Sequence, residues 1–216
     1  MNKTTILKAL MTLGICSWSA IASAVPMKNV TVQNLSRGQI LSPPVVIVHK
    51  PGYLVFEAGK PASKDVALLA EDGTTTGFKN LEASPEVHKV FIFPSGIQPG
   101  KSKTMLIQVP LGYRISLLSM LVTTNDAFAG LQNKVVPRAG YKKTYLTPAY
   151  DSGSEANTES CAHIPGPPCD AHDVRAIEGS EGKIQMHPGI KGGGDLDARM
   201  FNWKGPVMKV KISTAD

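Results

Sequence analysis

The stretch YRISLLSMLVTTND, residues 113–126, decides how this chain is read. Residues 113–122 are mostly apolar and read as a β-strand. The run ends at Asn125 and Asp126, a turn former beside a carboxylate. Two more acids, Asp151 and Glu155, stand four positions apart in AYDSGSEAN, residues 149–157. That segment is broken by Gly153 and filled with Ser and Asn, which makes it loop. Two loops rich in acid and amide oxygens, brought to one end of a β-fold, would form a cage of hard oxygen ligands suited to calcium. Asn125, Ser154 and, last of the three, Asn157 would add oxygens. The alternative reading is a set of solvated turn carboxylates.

Working outward, the pattern is mostly β. Residues 30–35 alternate, with Val30, Val32 and Asn34 on one side. VVIVH (Val45–His49) is a β-branched run that reads as a buried strand. Further strands are expected over 53–56, 88–93, 103–109 and 207–212. Residues 62–71 have helical spacing instead, with Ser63 placed to cap the start and Asp72-Gly73 to end it. Residues 140–204 show little periodicity and read as long loops, which in a compact domain are functional or stapled. The expected fold is an all-β antiparallel sandwich with one short helix and an elaborated loop end.

Residues 1–24 have the plan of a secretory signal peptide: Lys3 and Lys8, an apolar core over 9–21, then Ala22-Ser23-Ala24. The expected mature chain runs 25–216 as one domain, periplasmic or secreted. Cys16 raises a lipid anchor, but Ile15 before it is not the small residue such a site prefers. No other stretch is apolar enough for a membrane span. The formal charge of +6 falls to +4 without the two leader lysines. Lys142, Lys143 and nearby Arg138 form the one tight basic cluster. With few aromatics beside it, and an exported chain, nucleic acid is excluded as a partner. Without Cys16, two cysteines remain. Cys161 and Cys169 in an exported chain read as a disulfide around AHIPGPP, and a loop that short contributes about 2–3 kcal/mol. The competing reading, zinc on Cys161, His163, Cys169 and His172, matches no familiar spacing.

Catalytic signatures are weak. There is no H-E-x-x-H and no G-x-S-x-G. His49 ends an apolar strand and reads as a hydrogen-bonded structural residue, and Ser116 has no base near it in sequence. His187 precedes Pro-Gly and reads as a turn residue; a metal-dependent hydrolase would recruit it with Asp195. The run Gly192-Gly193-Gly194 lacks the lysine and helix of a phosphate loop and reads as a flexible turn. A third class is a carbohydrate- or envelope-binding module, with Tyr141, Tyr145, Tyr150, Phe201 and Trp203 as anchors if solvent-facing.

Six segments in fixed order resemble the spondin domain, the amino-terminal domain of F-spondin and mindin, in its bacterial secreted stand-alone form. They are QNLSRGQILSPPVVIVH, AGKPAS…LLAEDG, ISLLSMLVTTNDAFAGL, AYDSGSEAN, HPGI…GDL and VMKVKI. The resemblance spans nearly all of the mature chain. It implies a β-sandwich similar to the calcium-dependent C-two fold, with one calcium ion held by the loops at Asp126, Asp151 and Glu155. The animal sequences carry Asp where this chain has Glu155, one methylene longer. It also implies a non-catalytic module of adhesion or cell-surface and matrix binding, whose partner is an extracellular protein or glycan.

Overall fold

The computed structural model describes residues 25–215; the expected leader lies outside the described residues. The chain folds as two antiparallel sheets. Ten strands are described: β1 (Met27–Asn34), β2 (Val45–His49), β3 (Val87–Ile92), β4 (Ser102–Gln108), β5 (Arg114–Met120), β6 (Ala127–Val135), β7 (Lys142–Thr147), β8 (Ala149–Asp151), β9 (Gln185–Met186) and β10 (Met208–Thr214). One sheet has the order β4-β1-β10-β7, the other β3-β2-β5-β6-β8-β9. Helix α1 (Lys64–Asp72), a 3-10 helix (Thr76–Ala83) and a single-turn helix α2 (Ala198–Phe201) complete the elements. The all-β sandwich is as expected.

Strand chemistry explains the layers. In β1 and β10 alternate residues are buried: Val30 and Val32 face Val210 and Ile212 across the ladder, while Lys209 and Lys211 look outward. That is the period of a sheet with one wet face. In β2 every residue is buried, and in β5 all but Arg114. Val46, Val48, Ile115 and Leu117 pack between the sheets. Val45, Ile47 and Leu118 pack on the opposite side with Val66 and Leu69 of α1 and with Phe78 and Phe128. The six-stranded sheet is thus buried on both faces at its centre.

Helix α1 is built as its sequence dictates. The Ser63 hydroxyl accepts from Val66 N, and Gly73 closes the helix with φ 68°. Other expectations need correction. Residues 53–56 are not a strand: the segment crosses the outer face of the sheet, with Tyr53 against His49 and the Phe56 ring edge-on to Phe128. AFAGLQNKV is the long strand β6, although Ala and Gly are poor strand formers. Gly130 is required there, because a Cβ would sit 2.7 Å from the Phe56 ring. The 140–204 region contains β7, β8, β9 and α2, but from 152 to 184 it is loop, as read.

Phe128 is fully buried and packs on both Phe56 and Tyr150. Phe128→Ala is expected to cost about 3–5 kcal/mol. Urea unfolding checks this: the midpoint falls while the slope stays that of wild type.

Candidate metal centre

Asp126 closes the turn between β5 and β6, and that turn is locked from several sides. Thr124 Oγ1 donates to Leu121 O at 2.6 Å and accepts from Ala127 N at 3.0 Å. The Gln39 amide bonds both N and O of Thr123. Asp151 ends β8 and is the register partner of Ala127, so the two aspartates leave adjacent strands side by side. The 152–155 turn then wraps the Asp126 carboxylate. Its Oδ2 accepts from Ser152 Oγ at 2.8 Å, Ser154 N at 2.9 Å and Glu155 N at 3.1 Å. Gly153 makes this turn possible with φ 69°, and a Cβ there would lie 2.3 Å from Lys183 O.

The structure brings all three expected carboxylates to one pole. Asp126 and Asp151 are fully buried and Glu155 is 1% exposed, so they are not solvated turn residues. Each has a different set of partners. Asp151 Oδ1 accepts from Gly153 N at 2.7 Å and Oδ2 from Asn157 Nδ2 at 2.6 Å. Glu155 Oε1 accepts from Ala176 N at 3.0 Å. Of the amides expected to help, Asn157 is the one in contact with a site carboxylate. Asn125 is turned away, accepting from Glu159 N and donating to Thr158. The side chains form a hydrogen-bonded knot: among the described residues no three His, Cys, Asp or Glu side chains are placed so that together they could hold a metal ion.

Two oxygens in this region have no partner. Asp126 Oδ1 and Glu71 Oε2 are buried without a hydrogen bond. Glu71 lies in the last turn of α1, is 3% exposed and pairs with Arg175. It lies near enough to Glu155 to raise its pKa. Sequence reading gave Glu71 and Arg175 no role. The available signal was an acid in the last turn of a helix with no base beside it, a placement that opposes the helix dipole. Glu181 also faces this pole, close to Asp151.

Burial, and then the Asp151 charge, push Asp126 up to about 7. Burial, and then Glu71 and Asp126 among the charges, push Glu155 up to about 8. Burial raises Asp151 too, against the hydrogen bonds from Asn157 and Gly153. Carboxylates outnumber cations here and are poorly hydrated. Hard oxygen donors, excess negative charge and the orphaned Asp126 Oδ1 are of the type and sign that a hard cation such as calcium takes, but three of these side chains do not converge on one point.

The remaining candidates are structural. Cys161 and Cys169 are joined in a disulfide with Cα atoms 4.8 Å apart, so these thiols are not zinc ligands. The closed loop packs over the β5–β6 turn, where Thr123 Oγ1 donates to Pro167 O at 2.9 Å. Asp195 anchors the same loop by accepting from Cys161 N at 2.8 Å. The glycine run is not a free turn: amides of Lys191, Gly192 and Gly193 donate to the buried Glu159 carboxylate at 2.5, 2.6 and 2.9 Å. This is an anion nest filled from within.

His49 Nδ1 donates to Lys50 O, and its Nε2 lies 2.8 Å from Ser116 Oγ, a partner that sequence spacing did not reveal. Both residues are fully buried, and burial lowers the His49 pKa. His187 packs on Trp203, and burial lowers it to about 4. Of the five rings, Tyr150, Tyr145 and Trp203 are half-buried, Phe201 is buried, and Tyr141 alone is well exposed. No row of solvent-facing rings borders the carboxylates among the described residues.

No protein-family model matches this chain, and no curated protein is significantly similar to it.

A carboxyl with a raised folded pKa keeps its proton longer in the folded state than in the unfolded one. Stability therefore declines as pH rises from about 4, where the unfolded groups ionise, through the folded values near 7 and 8. In excess chelator the melting temperature is expected to fall between pH 5 and pH 8. Asp126→Asn should flatten that decline. A melting temperature that climbs over this range, or a slope unchanged in the variant, contradicts the assignment.

Proposed function

We propose that the chain is an exported, calcium-stabilised β-sandwich of spondin type, acting as a binding module in adhesion or at a cell surface or matrix. The observation that carries this reading is Asp126: fully buried, one oxygen unpartnered, and flanked by Asp151 and Glu155 with Arg175 as the near cation. A carboxylate in that setting either keeps its proton or meets a cation. The leader-like residues 1–24 and the disulfide suit an oxidising, exported environment. The ordered segments resembling spondin domains name the same three carboxylates.

Asp126, Asp151 and Glu155 would hold the ion, with Glu71 adding negative charge behind them. A bound calcium supplies charge neutralisation and ties the β5–β6 turn to the loop after β8. This is first a folding device, since affinity for the native state alone adds to stability by mass action. The chain's own residues prepare for it. Gly153 lets the 152–155 turn close on Asp126, and the disulfide loop covers the β5–β6 turn from outside. The partner class is an extracellular or cell-surface protein or glycan.

Thermal unfolding of the chain from Val25 on, in chelator and then in calcium at about a hundred times its dissociation constant, tests the reading. Stabilisation of about 2.7 kcal/mol corresponds to a rise of about 5–10 °C for a domain of this size. Magnesium should give much less. Asp126→Asn with Asp151→Asn, which keeps the shape and removes the charge, should abolish the response. An equal rise with magnesium, or a double variant that responds like wild type, would sink the proposal.

A further inference from the structure

The pole opposite the carboxylates carries a different surface. Strand β6 runs from beside Asp126 to Val135, nine residues and so roughly 25–30 Å away. Val135 is the register partner of Arg114 at the far end of β5. Here the β4–β5 and β6–β7 connections flank a groove of about 850 Å³. Five of its lining residues are basic, Lys28, Arg114, Arg138, Lys142 and Lys143, and none is acidic. Among the described residues none of the five forms a salt bridge.

Two apolar side chains stand at the rim. Leu111 is 79% exposed and Tyr141 70%, among the most exposed large apolar residues of the molecule. Both are held there by turns. Tyr113 N donates to Pro110 O with Gly112 at φ 82°, so Leu111 sits at a fixed tip. Tyr141 N donates to Arg138 O with Gly140 at φ 79°, and Gly140 N is tied to Thr214 Oγ1 at 3.2 Å. The described chain also begins at this pole, where Pro26 O accepts from Val109 N at 3.0 Å.

We propose that this pole docks on the surface of an anionic phospholipid bilayer, with Leu111 and Tyr141 entering the headgroup–acyl boundary and Arg138, Lys142 and Lys143 meeting lipid phosphates. The charge is complementary to that surface, and no described residue lining the groove is acidic. A soluble polyanion would use the cations but has no use for an exposed leucine and tyrosine on rigid tips. A bilayer uses both: apolar tips partition into the interface, and each nearby cation is attracted by the surface potential. Tyrosine is suited to the boundary, with its ring apolar and its hydroxyl wet. Because the carboxylate pole lies at the other end of the sandwich, docking does not require calcium.

The test is vesicle flotation of the chain from Val25 on, which contains every described element, in excess chelator. Vesicles of phosphatidylcholine alone are compared with vesicles containing roughly one-third phosphatidylglycerol, on which partitioning should be about tenfold stronger or more and should weaken with salt. Leu111→Asp with Tyr141→Asp should abolish it, and Lys142→Glu with Lys143→Glu should remove the preference for the anionic lipid. These positions are exposed, and unchanged melting temperatures verify that the variants fold. No binding, equal binding to both vesicles, or binding only with calcium overturns the proposal. Binding that survives the loss of Leu111 and Tyr141 but not of the lysines marks a surface for soluble polyanions, and overturns it as well.

Discussion

Burial of the central six-stranded sheet on both faces is the constraint from which the rest follows. Strands β2 and β5 send one set of side chains toward the second sheet and the other set toward α1, the 3-10 helix and the 50–60 segment. Neither face of these strands offers polar groups access to water. A polar side chain on either face must bring its own partner, as Ser116 and His49 do for one another. Charged groups are pushed to the strand ends. Asp126 and Arg114 occupy opposite ends of the same β5–β6 hairpin for this reason, and that placement gives the molecule an acidic pole and a basic one.

The acidic pole is built by covering, not by convergence. Three separate devices close over the β5–β6 turn: the 152–155 turn, the disulfide loop and the Gln39 amide. The Gln39 amide serves both N and O of Thr123, and Ser152 N donates to Asp126 O, so these backbone groups are not stranded as the sheet runs out. Together the three devices exclude water from carboxylates that would otherwise be cheaply solvated, and so raise their pKa values. Glu159 shows the other solution to the same difficulty, a buried carboxylate fully served by three backbone amides. Asp126 is served on one oxygen only. The proposed cation site at the Asp126 pole rests on the contrast between these two buried acids.

How far the sequence disclosed this depends on the element. The β2 strand could be read to the residue, because a β-branched run buried on both faces has no competing periodicity. Helix α1 was legible because Ser63 and Gly73 mark its ends by their own chemistry. Strand β6 was not, since AFAGL lacks β-branched residues and its Gly130 answers to the distant Phe56 ring. Residues 53–56 misled for the reverse reason: their apolar pattern serves the outer core from a loop. At the site, the gathering of Asp126, Asp151 and Glu155 was foreseen, but the presence of Glu71 and Arg175 was not. Those residues arrive from a helix end and a loop 104 positions apart, and only the tertiary fold joins them.

The two poles also differ in how their charge is treated, and that difference bears on what each can do. At the acidic end, charge is removed from water, where its interactions are strong and act at short range. At the basic end the side chains of Arg138, Lys142 and Lys143 remain in solvent, where charge acts over a Debye length and is screened by salt. A buried site of the first kind is suited to holding the fold together. An open one of the second kind is suited to a broad, replaceable surface. The rigid turns under Leu111 and Tyr141 lower the ordering cost of meeting such a surface, because the apolar tips are already placed. The same antiparallel strands that carry the carboxylates at one end thus fix the geometry of a contact face at the other.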